Sequence, residues 1–170
     1  MSFLFSSFRS VRAVVLGDLM LDEYVFGRAV RVSQEAPVLV VRQTRLTAVP
    51  GGAANVATNM VAMGANVSLL GIIGDDAPGQ TLTETLSITG VDARLITDPA
   101  RPTTRKTRVV ANHSHQVLRI DHEETHDLND AVQQDLMSLL SEALQGASLL
   151  LLSDYRKGTV PPAVVEAAIR

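Results

Sequence analysis

Residues 50–64, PGGAANVATNMVAMG, restrict the fold more than any other stretch of the chain. Two glycines break a strand and let backbone approach a ligand closely. They run straight into Ala53, Ala57, Met60, Val61 and Gly64, which recur at helical spacing. The expectation is a strand, a Gly51-Gly52 doorstep and a helix. The first amides of such a helix have no partners within it and carry the positive end of its dipole, which suits a hydroxyl-rich or anionic ligand. Asn55, in the first turn, can both donate to and accept from a sugar hydroxyl. On these residues alone, a tight strand-to-helix turn with Asn55 as a local cap fits equally well.

The flanking pattern sets the fold class. Residues 13–17 (AVVLG) form a continuous apolar run ending in glycine, as a buried parallel strand would. Asp18 and Asp22 follow at the carboxyl end of that strand, where open α/β sheets bind ligands; Asp18 also suits a plain turn cap. Residues 66–73 (NVSLLGII) read as the next buried strand, closed by Gly74, Asp75 and Asp76. A helix is expected over 79–89, ended by Gly90, and an amphipathic one over 128–144, with Val132, Leu136, Leu139, Leu140 and Ala143 on its core stripe. Residues 147–152 (ASLLLL) read as a further buried strand, and Pro161-Pro162 as the start of a last helix. This alternation implies a mostly parallel sheet with right-handed crossovers, flanked by helices. Residues 24–46 break it: strand-formers without helical period, with prolines at the breaks, point to a separate small sheet.

Charged side chains cluster at the ends of these elements. If residues 103–110 (TTRKTRVV) are a strand, Lys106 and Arg108 share one face while Arg105 and Thr107 share the other. Two cations on one face can hold and orient a phosphate, or can protect a sheet edge from aggregation. Residues 111–115 suit a turn and 116–121 (QVLRID) a returning strand, making a hairpin. The strand at 147–152 delivers Asp154 and Lys157 to the side of the sheet that carries Asp22 and the Gly51-Gly52 opening, as a shared site requires. Lys157 is read either as a ligand or phosphate contact or as part of the loop leading into the last helix. Asp75 and Asp76 could form a metal pair, although a helix N-terminus attracts carboxylates without one. His113, His115, His122 and His126 fall in polar sequence with no scaffold for tetrahedral geometry, and are read as surface residues. No metal site is expected.

Composition narrows the function classes. At 170 residues and 46% hydrophobic, the chain can bury a core. A net charge of -3 and 4% aromatic residues argue against a nucleic-acid partner. The absence of cysteine excludes disulfides and thiolate chemistry. No stretch approaches the roughly 18 apolar residues of a membrane span, so a cytoplasmic protein is expected.

Gly-Gly, two alanines, Asn55, Ala57, Gly64 and Gly74 together resemble the N-terminal pattern of the ribokinase-like (PfkB) carbohydrate kinases. Within them GDLMLDEYVFG, RVSQEAPVLVV, PGGAANVA, LRIDHEE and LLLSDYRKG, in this order, resemble bacterial heptose 7-phosphate kinases, the kinase domain of the bifunctional enzyme that makes ADP-heptose for lipopolysaccharide. Gln34 departs from that pattern, where proline stands before Glu-Ala-Pro. The resemblance implies ATP-dependent phosphorylation of heptose 7-phosphate at the anomeric hydroxyl, with Mg2+ bridging the nucleotide phosphates. It implies that Asp22, Gly51, Gly52 and Asn55 hold the sugar, and places Asp154 and Lys157 at the rim of the site. Lys106 and Arg108 would hold the phosphate. The strands at about 23–47 and 103–121 would be a lid over the sugar, and a homodimer contact. The chain is expected to be the N-terminal part, residues 1–170, of one such kinase domain. The catalytic base, the anion hole and most of the ATP site would then lie beyond it, and none of its own residues would be catalytic. A non-catalytic sugar-phosphate-binding or dimerising module, or a kinase for another sugar, are the alternatives.

Overall fold

The apolar run at 13–17 becomes β1 (Arg12–Gly17), one of the two inner strands of the first sheet. The computed structural model describes residues 8–112 and 115–169. β1 pairs in parallel with β4 (Asn66–Ile73) on one side and β8 (Leu149–Ser153) on the other, and β5 (Asp92–Thr97) pairs in parallel with β4. The sheet order is β5-β4-β1-β8.

Alternation along β1 divides the core into two layers. Ala13 and Val15 face α1 (Ala53–Ala62) and α2 (Ala77–Ser87), meeting Ala53, Ala57, Met60, Leu82 and Leu86. Val14 and Leu16 face the opposite way, into Leu136 and Leu140 of α3 (Asp130–Leu144) and Val164 of α4 (Pro162–Ile169). Leu16, Leu70, Leu82, Leu86, Leu136 and Leu140 are fully buried, each contributing roughly 1.5–3 kcal/mol of apolar transfer. A run apolar at every position therefore serves two faces, which is why β1 reads as continuous and not alternating.

A second sheet stands apart, in the order β3-β2-β6-β7. β2 (Leu19–Val32) and β3 (Leu39–Gly52) form a long antiparallel hairpin. β6 (Arg105–Ala111) joins β2 in parallel, and β7 (His115–His122) returns antiparallel to β6. The separate small sheet expected from residues 24–46 is thus present, but its strands begin at Leu19 and end at Gly52. Only Asp18 separates β1 from β2. Pro50 sits in β3, an edge strand whose outer amides need no partner. His113 and Ser114, in the expected turn, lie outside the described residues.

Three expectations are corrected. Gly51 and Gly52 do not break the strand: they are the last residues of β3, paired with Met20 and Leu19. Glycine is required there by close approach, since a Cβ at 51 would lie 2.5 Å from Asp22 Oδ2 and one at 52 would lie 2.3 Å from the Asp18 carbonyl oxygen. β8 is an edge strand, with Leu149 43% and Leu152 36% exposed, because nothing in the described residues pairs with its outer side. β5 was not anticipated, since Asp92 and Arg94 interrupt its apolar pattern at the opposite edge.

Asp76 fixes the junction of β4, α2 and the approach to β6. It is the N-cap of α2, accepting from Gly79 N at 2.9 Å, and it also accepts from Thr103 N at 2.9 Å and Thr103 Oγ1 at 2.6 Å. The Asp75-Asp76 pair is therefore committed to structure through Asp76. Burial pushes the Asp76 carboxyl up, but these bonds outweigh it and hold it below its ordinary value. A carboxylate depressed on folding adds stability that is fully present above its unfolded pKa of about 4 and is lost as pH falls below that, through its lower folded value. Stability of the chain should accordingly fall more steeply with acid in that window than that of Asp76→Asn, whose amide does not titrate. Identical acid-unfolding curves would exclude it.

Candidate functional site

Loops at the carboxyl ends of β1, β4 and β8 converge where the second sheet begins. The centre of this junction is Asp18, 1% exposed. Its Oδ2 accepts from Tyr155 N at 2.7 Å and Lys157 N at 3.1 Å, and its Oδ1 from Thr159 N at 3.2 Å. Its carbonyl accepts from Ala53 N at 3.0 Å, the first residue of α1. Asp18 thus caps the β8 loop, not its own turn. Sequence reasoning missed this role, because its partners lie about 140 residues away, as the separation of 141 for Thr159 shows.

The helix opening has the expected form without the expected cap. Gly52 is the N-cap of α1, at φ 57 and ψ -133, and no side chain caps the helix. Asn55 is exposed and turns away from its own helix start, accepting from Asn59 Nδ2 at 3.2 Å. The local-cap reading of Asn55 is therefore excluded, and its amide is left at the surface beside the opening.

Beside the opening, Asp22 lies against Gly51 and accepts from Arg108 Nη1 at 2.6 Å, while Arg108 lies 5.3 Å over the Tyr24 ring. The register pairs Asp22 with Lys106 and Tyr24 with Arg108, so both cations share the Asp22 face as expected. Arg105 and Thr107 turn to the other face, where both reach Glu23. Lys106 donates to Asp121 at 3.0 Å and to Glu123 at 3.1 Å. The second oxygen of Glu123 accepts from Lys157 at 2.7 Å. Burial pushes Glu123 up, yet its bonds from Lys157 and Lys106 outweigh this and hold it below its usual range. Burial likewise pulls Lys106 down, and Asp121 and Glu123 more than offset it, so its ammonium sits above its usual range.

The fold therefore brings Asp22, Gly51, Gly52, Lys106, Arg108 and Lys157 to one junction. Asp154 stays out: it is exposed and accepts from Arg156 N at 2.6 Å within its own loop. Asp121 and Glu123 were not foreseen as part of the cluster. The signal was the opposed charge of KTR and RID across the hairpin, readable only once the register is known.

Arg101, 8% exposed, braces the same loops from behind. It pairs with Asp98 at 3.1 Å and donates to the carbonyls of Lys157 and His126 at 3.0 and 2.9 Å. Among the described residues no group of three or more His, Cys, Asp or Glu is placed to hold a metal ion. Nor is any helix there long and apolar enough to cross a membrane.

Comparisons with known proteins agree with this arrangement. The sequence profile described as pfkB family carbohydrate kinase matches residues 12–170. The Bifunctional protein HldE of Geobacter metallireducens is 43% identical over 167 residues, covering 98% of this chain and 34% of that protein. HldE of Caulobacter vibrioides is 42% identical over 164 residues, covering 96% and 33%. The chain spans about a third of the length of these curated relatives. Phosphofructokinase-2 from Escherichia coli, solved in complex with fructose-6-phosphate, has the same fold at a TM-score of 0.68 and 19% identity, over 94% of this chain and 51% of that one. A carbohydrate kinase from Agrobacterium tumefaciens superposes with a TM-score of 0.61 at 18% identity, over 84% and 45%. On its profile, its relatives and its two-sheet fold, the chain belongs to the pfkB family of carbohydrate kinases.

Proposed function

We propose that this chain, as the N-terminal part of one kinase domain, forms the acceptor-binding side of a kinase that phosphorylates heptose 7-phosphate at its anomeric hydroxyl, in ADP-heptose and lipopolysaccharide core biosynthesis in the cytoplasm. The observation that carries the reading is the junction itself: an uncapped helix opening, Asp22 beside it and bonded to Arg108, Lys106 level with Asp22 on the next strand, and Lys157 joined to Lys106 through Glu123. Asp22, Gly51, Gly52 and Asn55 hold the sugar through carboxylate, backbone and amide groups. Lys106, Arg108 and Lys157 hold its phosphate. A neutral sugar gains nothing from such cations, which favours a phosphorylated acceptor. Asp154 has the weakest support, since its carboxylate is engaged in its own turn.

Family membership implies ATP and Mg2+ as donor and cofactor. The described residues offer no carboxylate cluster for the metal. The catalytic base and the nucleotide site are assigned to segments other than this one. The second sheet serves as lid and, on the face opposite Asp22, as homodimer contact. On that face the exposed Leu46, Leu118 and Ile120 line up with Val25 and Val109.

Calorimetric titration of the chain with heptose 7-phosphate tests the assignment. Binding is expected, with Asn55→Ala weakening it about tenfold and removal of the sugar's phosphate weakening it about a hundredfold. Unchanged affinity in both Asn55→Ala and Asp22→Ala would sink the assignment, and equal binding of fructose 6-phosphate would move the substrate to another sugar phosphate. Sedimentation of the same samples as monomer alone would remove the dimer contact.

A further inference from the structure

Glu123 joins two parts of the molecule that no strand pairing connects at that point. One carboxylate oxygen accepts from Lys106, on β6 of the second sheet, and the other from Lys157, in the loop after β8 of the first. The three side chains are 22%, 14% and 18% exposed, so the interaction is far less screened than a surface pair. Around them Lys106, Lys157, Arg108 and Arg119 are met by three carboxylates, Glu123, Asp121 and Asp22, and Asp121 is divided between Lys106 and Arg119. The cluster is one negative charge short. Two ammonium groups that span one carboxylate are also spaced to span two oxygens of a tetrahedral dianion.

We propose that Glu123 is an internal stand-in for the ligand's phosphate, occupying Lys106 and Lys157 until a phosphate group displaces it. The inference rests on the function proposed above and adds a specificity-determining residue to it. A tethered carboxylate competes at high effective concentration. A monoanion offers the two lysines no more charge than Glu123 already does, and so does not displace it. A phosphate dianion brings the charge the cluster lacks, and it keeps β6 and the β8 loop tied as Glu123 leaves. Glu123 therefore sets a threshold that phosphorylated acceptors pass and neutral or singly charged ones do not.

The test titrates the full 170-residue chain with inorganic phosphate at constant ionic strength, followed by calorimetry and by the carboxyl carbon resonance of Glu123. Glu123→Gln removes the competitor's charge, and is expected to bind phosphate about tenfold more tightly than the parent chain, the value of one charge-assisted hydrogen bond no longer displaced. Lys106→Met should lose the binding. In the parent chain the Glu123 resonance should move in step with phosphate occupancy, a readout that holds even where the variant folds poorly. Phosphate binding that needs Lys106 but is equal or weaker in Glu123→Gln would overturn the stand-in role while leaving the cationic clamp intact. A Glu123 resonance that ignores bound phosphate would overturn it likewise. Absence of phosphate binding in every protein would overturn both the stand-in and the clamp.

Discussion

Replacing Asp18 with alanine is expected to lower the unfolding free energy by about 4 kcal/mol, the largest loss from any single side chain at the junction. The carboxylate is 1% exposed and receives three backbone amides, from Tyr155, Lys157 and Thr159. A buried N–H left without a partner costs about 1–3 kcal/mol, and hydrogen bonds to a charged acceptor stand at the upper end. Thr159 is itself buried, so water cannot replace the acceptor there without opening the loop. The backbone carbonyl of residue 18 would still accept from Ala53, so α1 should keep its position while the β8 loop loosens. Urea unfolding would measure the loss, and amide exchange at 155, 157 and 159 would locate it. A cost below about 1 kcal/mol with unchanged exchange at those amides would show that the loop is held by other means, Arg101 being the other brace.

The second large effect is expected at Gly52. Its φ of 57 with ψ of -133 lies in territory that is costly for any residue with a Cβ, by about 1–3 kcal/mol. The added atom would also stand 2.3 Å from the Asp18 carbonyl oxygen, which is backbone and held by Ala53 N. Neither strain nor clash can be relieved by turning a side chain. Gly52→Ala should therefore cost about 3–4 kcal/mol and displace the first turn of α1, abolishing sugar-phosphate binding. Gly51→Ala is the informative contrast. There the Cβ would meet Asp22 Oδ2 at 2.5 Å and Met20 Cγ at 2.7 Å, both side-chain atoms that can move. It should spare most of the stability and weaken binding, because Asp22 must leave its place beside the helix opening. Thermal unfolding and calorimetry on the two variants separate the cases, and a Gly52→Ala protein as stable as the parent would refute the strain assigned to that position.

The two variants together bear on how the site is organised. Asp18 and Gly52 act on backbone, setting where the helix opening and the β8 loop stand. Asp22, Lys106, Arg108, Lys157 and Glu123 act on charge, and each cation among them is already paired with a carboxylate, Glu123 serving both lysines. On the function proposed above, binding there would be an exchange of partners, not the filling of an open cationic surface.

What the sequence by itself determined was the family and most of the local elements, β5 excepted. The parallel strand at 66–73 appears with those bounds, and the helix expected over 128–144 appears as Asp130–Leu144 with Val132, Leu136 and Leu140 buried. The strand expected at 103–110 appears as β6, Arg105–Ala111, and presents Lys106 and Arg108 on one face. Each of these rests on the periodicity of side chains within a few residues, which is written locally. The glycine pair was read as a close approach to a ligand, but the atoms that require it belong to the chain itself, to Asp18 between β1 and β2 and to Asp22 on β2. Only the tertiary structure decided that Asp18 serves a loop at 155–159, that Asn55 caps nothing, that β8 lies at an edge, and that Glu123 bridges Lys106 and Lys157. Apart from the Asn55 contact, which is local to its helix, these depend on strand order and register, which bring residues 17 to 141 positions apart into contact and leave no periodic mark in either partner.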